Sequence, residues 1–185
     1  MKQNYMSISF KVFRILTNIN LMIIGFFLVS SLMSIAFLPS LSQGLLVMMV
    51  LGVVFIHSIL SLYLQRSLLH PEIPLKENTP GGIRIMGVLA ILYALYMIAG
   101  CLLFLGIRSD DAIKEMMEQL PAEQQNVSIT AVKKVMNGFL TFIILHGCAV
   151  LVNCILSFFF LKKWKLRQES IAAQQQDIDT EDKQY

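Results

Sequence analysis

The sequence predicts an all-α, polytopic membrane protein: a bundle of four transmembrane helices, with a short amphipathic helix outside the membrane between the third and the fourth. Only 15% of the 185 residues are charged and 56% are hydrophobic, whereas a soluble domain carries about 25% charged residues. The charged residues also leave three stretches free, at 15–65, 85–107 and 135–161. Because these stretches contain no Asp, Glu, Lys or Arg, they indicate immersion in lipid.

The lengths of these stretches predict the number of crossings. A helix needs roughly 20 apolar residues to cross the hydrocarbon core, so the first stretch is long enough for two spans and each of the others for one. Pro39 and the polar residues 40–44 divide the first stretch, because a proline and a polar turn would leave backbone groups without partners in lipid. The predicted spans are residues 15–38, 45–64, 85–107 and 135–161.

The remaining segments predict the domain organisation. Residues 66–84 contain three prolines and two glycines, which predicts an extended loop between the second and third spans. Residues 1–167 are predicted to form a single four-span domain. Residues 168–185 are rich in Gln, Asp and Glu and hold few apolar side chains, so we expect this tail to be disordered.

The segment between the third and fourth spans predicts the amphipathic helix. Ser109, Asp110 and Asp111 are typical of a helix start, and Pro121 is typical of its end. Apolar residues recur at spacings of three and four, which places them on one face of a helix. We expect this face to lie on the membrane surface or to cap the bundle, in preference to binding a partner. The residues of this face are Ile113, Met116, Met117 and Leu120.

The distribution of Lys and Arg predicts the orientation. With four spans, the N-terminal segment, the loop at 66–84 and the C-terminal tail share one side, which holds eleven of the fifteen Lys and Arg residues. The other four lie between the third and fourth spans. Because Lys and Arg concentrate on the cytoplasmic side, we expect both termini in the cytoplasm. Small size and the lack of paired cysteines favour a bacterial inner membrane.

Polar side chains from three spans fall at a similar depth. His57 lies roughly 4 Å, and Asn153 roughly 7 Å, to the cytoplasmic side of the centre of its span. Ser61 shares a helix face with His57, and Asn20 of the first span is near enough in depth to join them. We predict a polar intramembrane cluster of these residues, with His146 as its fifth member, which serves helix packing or, as the less favoured hypothesis, a small binding cavity.

His146 shares the face of Asn153 but lies roughly 7 Å farther from the cytoplasm than His57. This difference in depth disfavours one haem iron bound by both histidines, and a lone histidine in a bundle is more often a hydrogen-bonding partner than a ligand. The three cysteines all lie in predicted spans and form no C-x-x-C pair, so neither a zinc site nor a disulfide is predicted. We therefore expect no metal, no cofactor and no enzymatic activity.

Two functions remain open. Ion-coupled transporters and pores usually hold fixed charges inside the membrane, and the predicted spans hold none. We therefore expect an accessory, scaffold or assembly subunit that contacts the lipid bilayer and a partner membrane protein or further copies of itself. The alternative is a small oligomeric transporter or channel that uses the face around His57 and Asn153. The net charge of +3 gives no indication of nucleic-acid binding.

Overall fold

The computed structural model describes residues 7–35, 41–118 and 128–181, and the structural statements below concern these residues. Their secondary structure is helical, without strands, which confirms the predicted all-α fold class. The helices are α1 (Ile8–Ile35), α2 (Leu41–Leu69), α3 (Thr79–Ile107), α4 (Asp110–Glu118) and α5 (Ile129–Glu181).

Four of these helices, α1, α2, α3 and α5, are long and apolar enough to cross a membrane. Their outward faces carry large apolar side chains that the protein leaves uncovered: Met22, Tyr96 and Leu103 are each more than two thirds exposed. A water-soluble protein rarely presents so extended an apolar surface, whereas acyl chains solvate it in a bilayer. The chain is therefore a multi-pass membrane protein.

The four spans run alternately up and down around a ring. α1 contacts α2 and α5, and α3 also contacts α2 and α5, with the contact between α3 and α5 the most extensive. α2 and α5 meet across the centre of the bundle as well. We call the end that holds the start of α1 and the 70–78 connector the inner end, and the end that holds α4 the outer end.

The helices extend beyond the predicted spans at the inner end. α1 begins at Ile8, α2 continues to Leu69 and α3 begins at Thr79, whereas the predicted spans stop at the first charged residue. A charge marks the edge of the hydrocarbon without ending a helix, because Lys and Arg side chains reach the polar surface while their backbone stays helical. Pro80 lies in the first turn of α3, where its missing N–H breaks no hydrogen bond.

The C-terminal tail also differs from its prediction. The structure continues α5 beyond the span to Glu181, where we expected disorder. Residues 168–181 contain neither glycine nor proline and are rich in Gln, Glu and Ala, which favour helix. The span is already helical, so each further residue adds a backbone hydrogen bond without the cost of helix nucleation. The low hydrophobicity of residues 168–181 therefore prevents their burial in a core, but it does not end the helix that continues from the span.

α4 is the predicted short helix outside the spans. Its start is the predicted one, because the Ala112 amide donates a hydrogen bond to Ser109 Oγ at 3.1 Å and so caps the first turn. Just before it, Arg108 donates to the side chain of Asn137 in α5. The predicted end at Pro121 lies outside the described residues.

The described part of the apolar face of α4 is covered by protein. Ile113 and Met117 are both buried, and α4 packs against α5. This placement corresponds to the capping of the bundle, one of the two positions that the sequence left open. Met116 lies on the same helix, and Leu120 lies outside the described residues.

Two apolar clusters form the core of the bundle, and all four spans contribute to each. The inner cluster comprises Phe10, Phe13, Leu64, Leu68, Ile83, Phe160 and Leu161. The central cluster comprises Ile24, Val54, Ala90, Ala94, Val150 and Cys154.

Small residues bring α3 and α5 close together beside the central cluster. Ala90 and Ala94 of α3 are fully buried, and Gly147 of α5 lies against the same helix. A Cβ atom on Gly147 would lie 2.8 Å from Ile98 Cγ1 and 3.5 Å from the Ala94 carbonyl oxygen. Since helices in lipid associate through close van der Waals packing, the missing side chain lets these two backbones approach.

Replacing Gly147 with alanine should therefore destabilise the bundle. The added methyl group must displace Ile98 or separate α3 from α5, which costs about 1–3 kcal/mol. The measurement is the melting temperature of the protein in mild detergent. Gly138→Ala is the matched control on the same helix, because nothing lies within 4 Å of its Cβ position. Equal melting temperatures for the two variants would contradict the close approach.

Candidate functional site

A layer of polar side chains lies between the inner and the central apolar clusters, and we call it the polar layer. α2 contributes four of its residues, and α1 and α5 contribute two each. Every member is at most 4% exposed. Because lipid offers no hydrogen bonds, groups at this depth depend on partners within the protein. The polar layer comprises Thr17, Asn20, His57, Ser58, Ser61, Gln65, Asn153 and Ser157.

The Thr17 hydroxyl joins three helices within the polar layer. It accepts a hydrogen bond from Gln65 Nε2 of α2 at 2.8 Å and lies 2.8 Å from Asn153 Oδ1 of α5. The Phe13 carbonyl oxygen of its own helix is equally near, so the single hydroxyl proton is donated to one of the two acceptors at a time. These contacts fix the relative heights of α1, α2 and α5, because sliding any one helix would separate the atoms.

His57 uses both of its ring nitrogens. Its Nε2 lies 3.1 Å from Ser157 Oγ, and its Nδ1 lies 3.8 Å from Cys154 Sγ. The Ser157 hydroxyl donates to the Cys154 carbonyl oxygen at 2.8 Å, so it accepts from the imidazole. The neutral tautomer with its proton on Nε2 satisfies this chain of bonds, because the bare Nδ1 then accepts from the Cys154 thiol. His57 thus links α2 to α5 across the centre of the bundle.

The structure places four of the predicted cluster residues in the polar layer but gives them different partners. Asn153 contacts Thr17, whereas Asn20 and Ser61 are buried with no hydrogen-bond partner for their side chains among the described residues. The role of this cluster in packing or in binding a solute stays a prediction.

Sequence reasoning missed Thr17 and Gln65, which make the best-connected contact of the polar layer. Gln65 lies one residue beyond the predicted end of the second span and was therefore not considered as a member of the cluster. The signal was present, because Gln65 follows His57 and Ser61 at successive spacings of four, which places all three on one helix face.

His146, the fifth residue of the predicted cluster, lies apart from the polar layer. It precedes Ser157, the partner of His57, by eleven residues on α5, which places it about 16 Å closer to the outer end. The structure therefore does not bring the two histidines together. The His146 ring stacks on Phe142, with centroids 6.3 Å apart and planes 8° from parallel. It lines a cavity of about 210 Å³ among the four spans.

A groove of about 640 Å³ runs between α3 and α5 at the inner end. Apolar side chains, among them Val88 and Phe158, form its walls. Lys165 Nζ lies 3.9 Å from Glu169 Oε1. Arg84 and Lys162 have no carboxylate partner among the described residues. The charged side chains of the groove are Arg84, Lys162, Lys165 and Glu169.

The described residues contain no group of three His, Cys, Asp or Glu side chains that could hold a metal ion. Cys101 and Cys154 are buried, Cys148 is exposed, and all three are free thiols. Comparisons of the chain with family models, with curated proteins and with solved structures found no match. The arrangement of the polar layer itself is therefore the best guide to what this chain does.

Replacing Asn153 with leucine should lower the stability of the bundle by about 0.5–2 kcal/mol, because the Thr17 hydroxyl loses a partner on α5. The measurement is unfolding in mixed micelles with increasing denaturing detergent. Asn18→Leu makes the same change on an exposed position of α1 and should have little effect.

A double-mutant cycle with Thr17→Val isolates the contact itself. Because both single variants remove the same hydrogen bond, the two losses should sum to more than the loss in the double variant. Strictly additive losses would show that Asn153 and Thr17 do not interact.

Proposed function

We propose that this chain is a non-enzymatic membrane component, an accessory, scaffold or assembly subunit that acts by helix packing and by contacts with protein and lipid. The proposal rests on one observation, the hydrogen bonds that the intramembrane polar groups make. His57 and Asn153, the residues most suited to bind a solute, make hydrogen bonds between helices. Side chains that hold helices together are not free to turn towards a substrate.

The continuation of α5 beyond the inner end supports a role in contacting a partner. From Lys165 to Glu181 this helix extends past the inner cluster, and apolar side chains such as Leu166 and Ile171 remain exposed on it. We propose that this part of α5 contacts a partner membrane protein at the cytoplasmic surface. The excess of Lys and Arg at the inner end supports a cytoplasmic position for both termini, in a bacterial inner membrane.

The groove at the inner end supports a contact with anionic phospholipid. Arg84, Lys162 and Lys165 outnumber the single carboxylate of Glu169 there, and their positive charge complements a phosphate headgroup. The apolar walls below them suit an acyl chain.

The alternative, a small oligomeric transporter or channel, rests on a different observation. Asn20 and Ser61 lie in the same layer as His57 and Asn153, and their buried polar atoms have no partner in the described part of the chain. A buried polar atom without a hydrogen-bond partner usually has a structural or functional explanation. A solute pathway through the polar layer would provide one.

The lipid contact predicts selective retention of anionic phospholipid. The double variant Lys162→Gln, Lys165→Gln should bind phosphatidylglycerol about thirtyfold more weakly, at roughly 1 kcal/mol for each lysine near the headgroups, and bind phosphatidylcholine as before. Native mass spectrometry of the purified protein measures both. The control Lys114→Gln, Lys134→Gln removes the same charge from the outer end. Equal losses in both double variants would contradict a site in the groove.

The partner contact predicts a defined cross-linked product. A photoreactive amino acid at Ile171, in the full chain within its native membrane, should attach to one membrane protein of different sequence. The same amino acid at Glu77, which is exposed on the inner connector, should not yield that product.

The outcome that would overturn the accessory role is equally specific. If Ile171 forms cross-links only to further copies of the chain, and the purified protein alone moves a solute across vesicles, the transporter hypothesis replaces it.

A further inference from the structure

The outer half of the bundle holds a cavity that the helix-packing role does not use. Its volume is about 210 Å³, and all four spans contribute to its walls. Most of its surface is apolar, with aromatic rings from Phe27, Tyr93 and Phe142. Gly147, the residue that lets α3 approach α5, also lines it.

The polar group that distinguishes this cavity is the His146 imidazole. The side chain is only 7% exposed, yet neither Nδ1 nor Nε2 has a hydrogen-bond partner among the described residues. His57, at a comparable burial, satisfies both nitrogens. A buried imidazole without a partner forgoes hydrogen bonds that it makes in water. A molecule in the cavity that can donate to one of these nitrogens would restore such a bond.

The walls define the chemistry of that molecule. No charged side chain lines the cavity, so a charged ligand would lose its hydration without compensation. Aromatic walls favour a ring, since rings attract one another through stacked and edge-to-face contacts. An apolar cavity of about 150 Å³ is large enough for benzene, so about 210 Å³ accommodates one ring with a small substituent.

We propose that this cavity binds a small, neutral, lipid-soluble aromatic molecule with a single hydroxyl group, a phenol in chemical class. Its ring packs among Phe27, Tyr93 and Phe142, and its hydroxyl donates to the His146 imidazole. Val47 and Phe139 line the cavity and remain partly exposed on the outward faces of α2 and α5. The ligand therefore enters from the surrounding acyl chains, into which phenols partition. The site goes beyond the proposed accessory role and does not depend on it.

The test compares two probes of nearly the same shape, 4-fluorophenol and 4-fluorotoluene, of which only the first carries a hydroxyl. Fluorine NMR of each probe, with the full chain in detergent micelles and with micelles alone, gives the affinity after correction for partitioning. We expect the phenol to bind about tenfold more tightly than the toluene, the effect of one hydrogen bond. His146→Phe should abolish this preference, and His146→Gln, which retains a hydrogen-bonding group, should restore part of it.

A third variant locates the probe. Ser31→Phe places a ring in the cavity from α1 and should reduce binding of both probes, while the melting temperature reports that the variant folds. The proposal is overturned if the wild-type chain binds neither probe beyond the micelle background, which would mean that the cavity holds only water or acyl chains. It is also overturned if the preference for the phenol survives in His146→Phe, or if Ser31→Phe leaves binding unchanged.

Discussion

The contact on which this bundle depends most is the meeting of three helices at the Thr17 hydroxyl. In water, such a contact would contribute little, because its members could bond to solvent instead. In lipid the members have only one another, so the contact specifies which helices are neighbours and at what height. The apolar clusters on either side of the polar layer could pack in other registers, since leucine and phenylalanine interdigitate without strict direction. Gln65 and Asn153 exclude those registers, because a shift of one residue turns each amide away from Thr17.

The two histidines of the spans differ in their hydrogen bonding, because different residues surround them. His57 lies between a hydroxyl and a thiol on the facing helix, and each of its nitrogens has a partner. His146 lies among aromatic rings, and its nitrogens face no protein donor or acceptor in the described chain. The first links two helices of the bundle, whereas the nitrogens of the second form no hydrogen bond with any described residue. Burial does not distinguish them, since both are buried, whereas the residues across the helix interface do.

Much of the fold could be predicted from the sequence because the determining signals are local. Absence of charge marked the spans, and Ser109 marked the start of α4. The helix ends could not be predicted from charge, since Lys11 and Arg14 are charged and nevertheless lie within α1. The polar layer was predicted in part: depth arithmetic grouped His57 with Asn153, but the partner of each is a residue on another helix. Such pairs depend on how the spans are rotated about their axes, which the sequence of one span does not specify.

The uninterrupted course of α5 has a mechanical consequence. No glycine or proline interrupts it from Cys148 to Glu181, and its 53 residues correspond to a rod of roughly 80 Å at 1.5 Å per residue. One end of the rod is held by α4, and the middle is clamped by the other three spans. A tilt of the clamped part is therefore transmitted without a hinge, and the far end moves through an arc larger than the displacement that caused it.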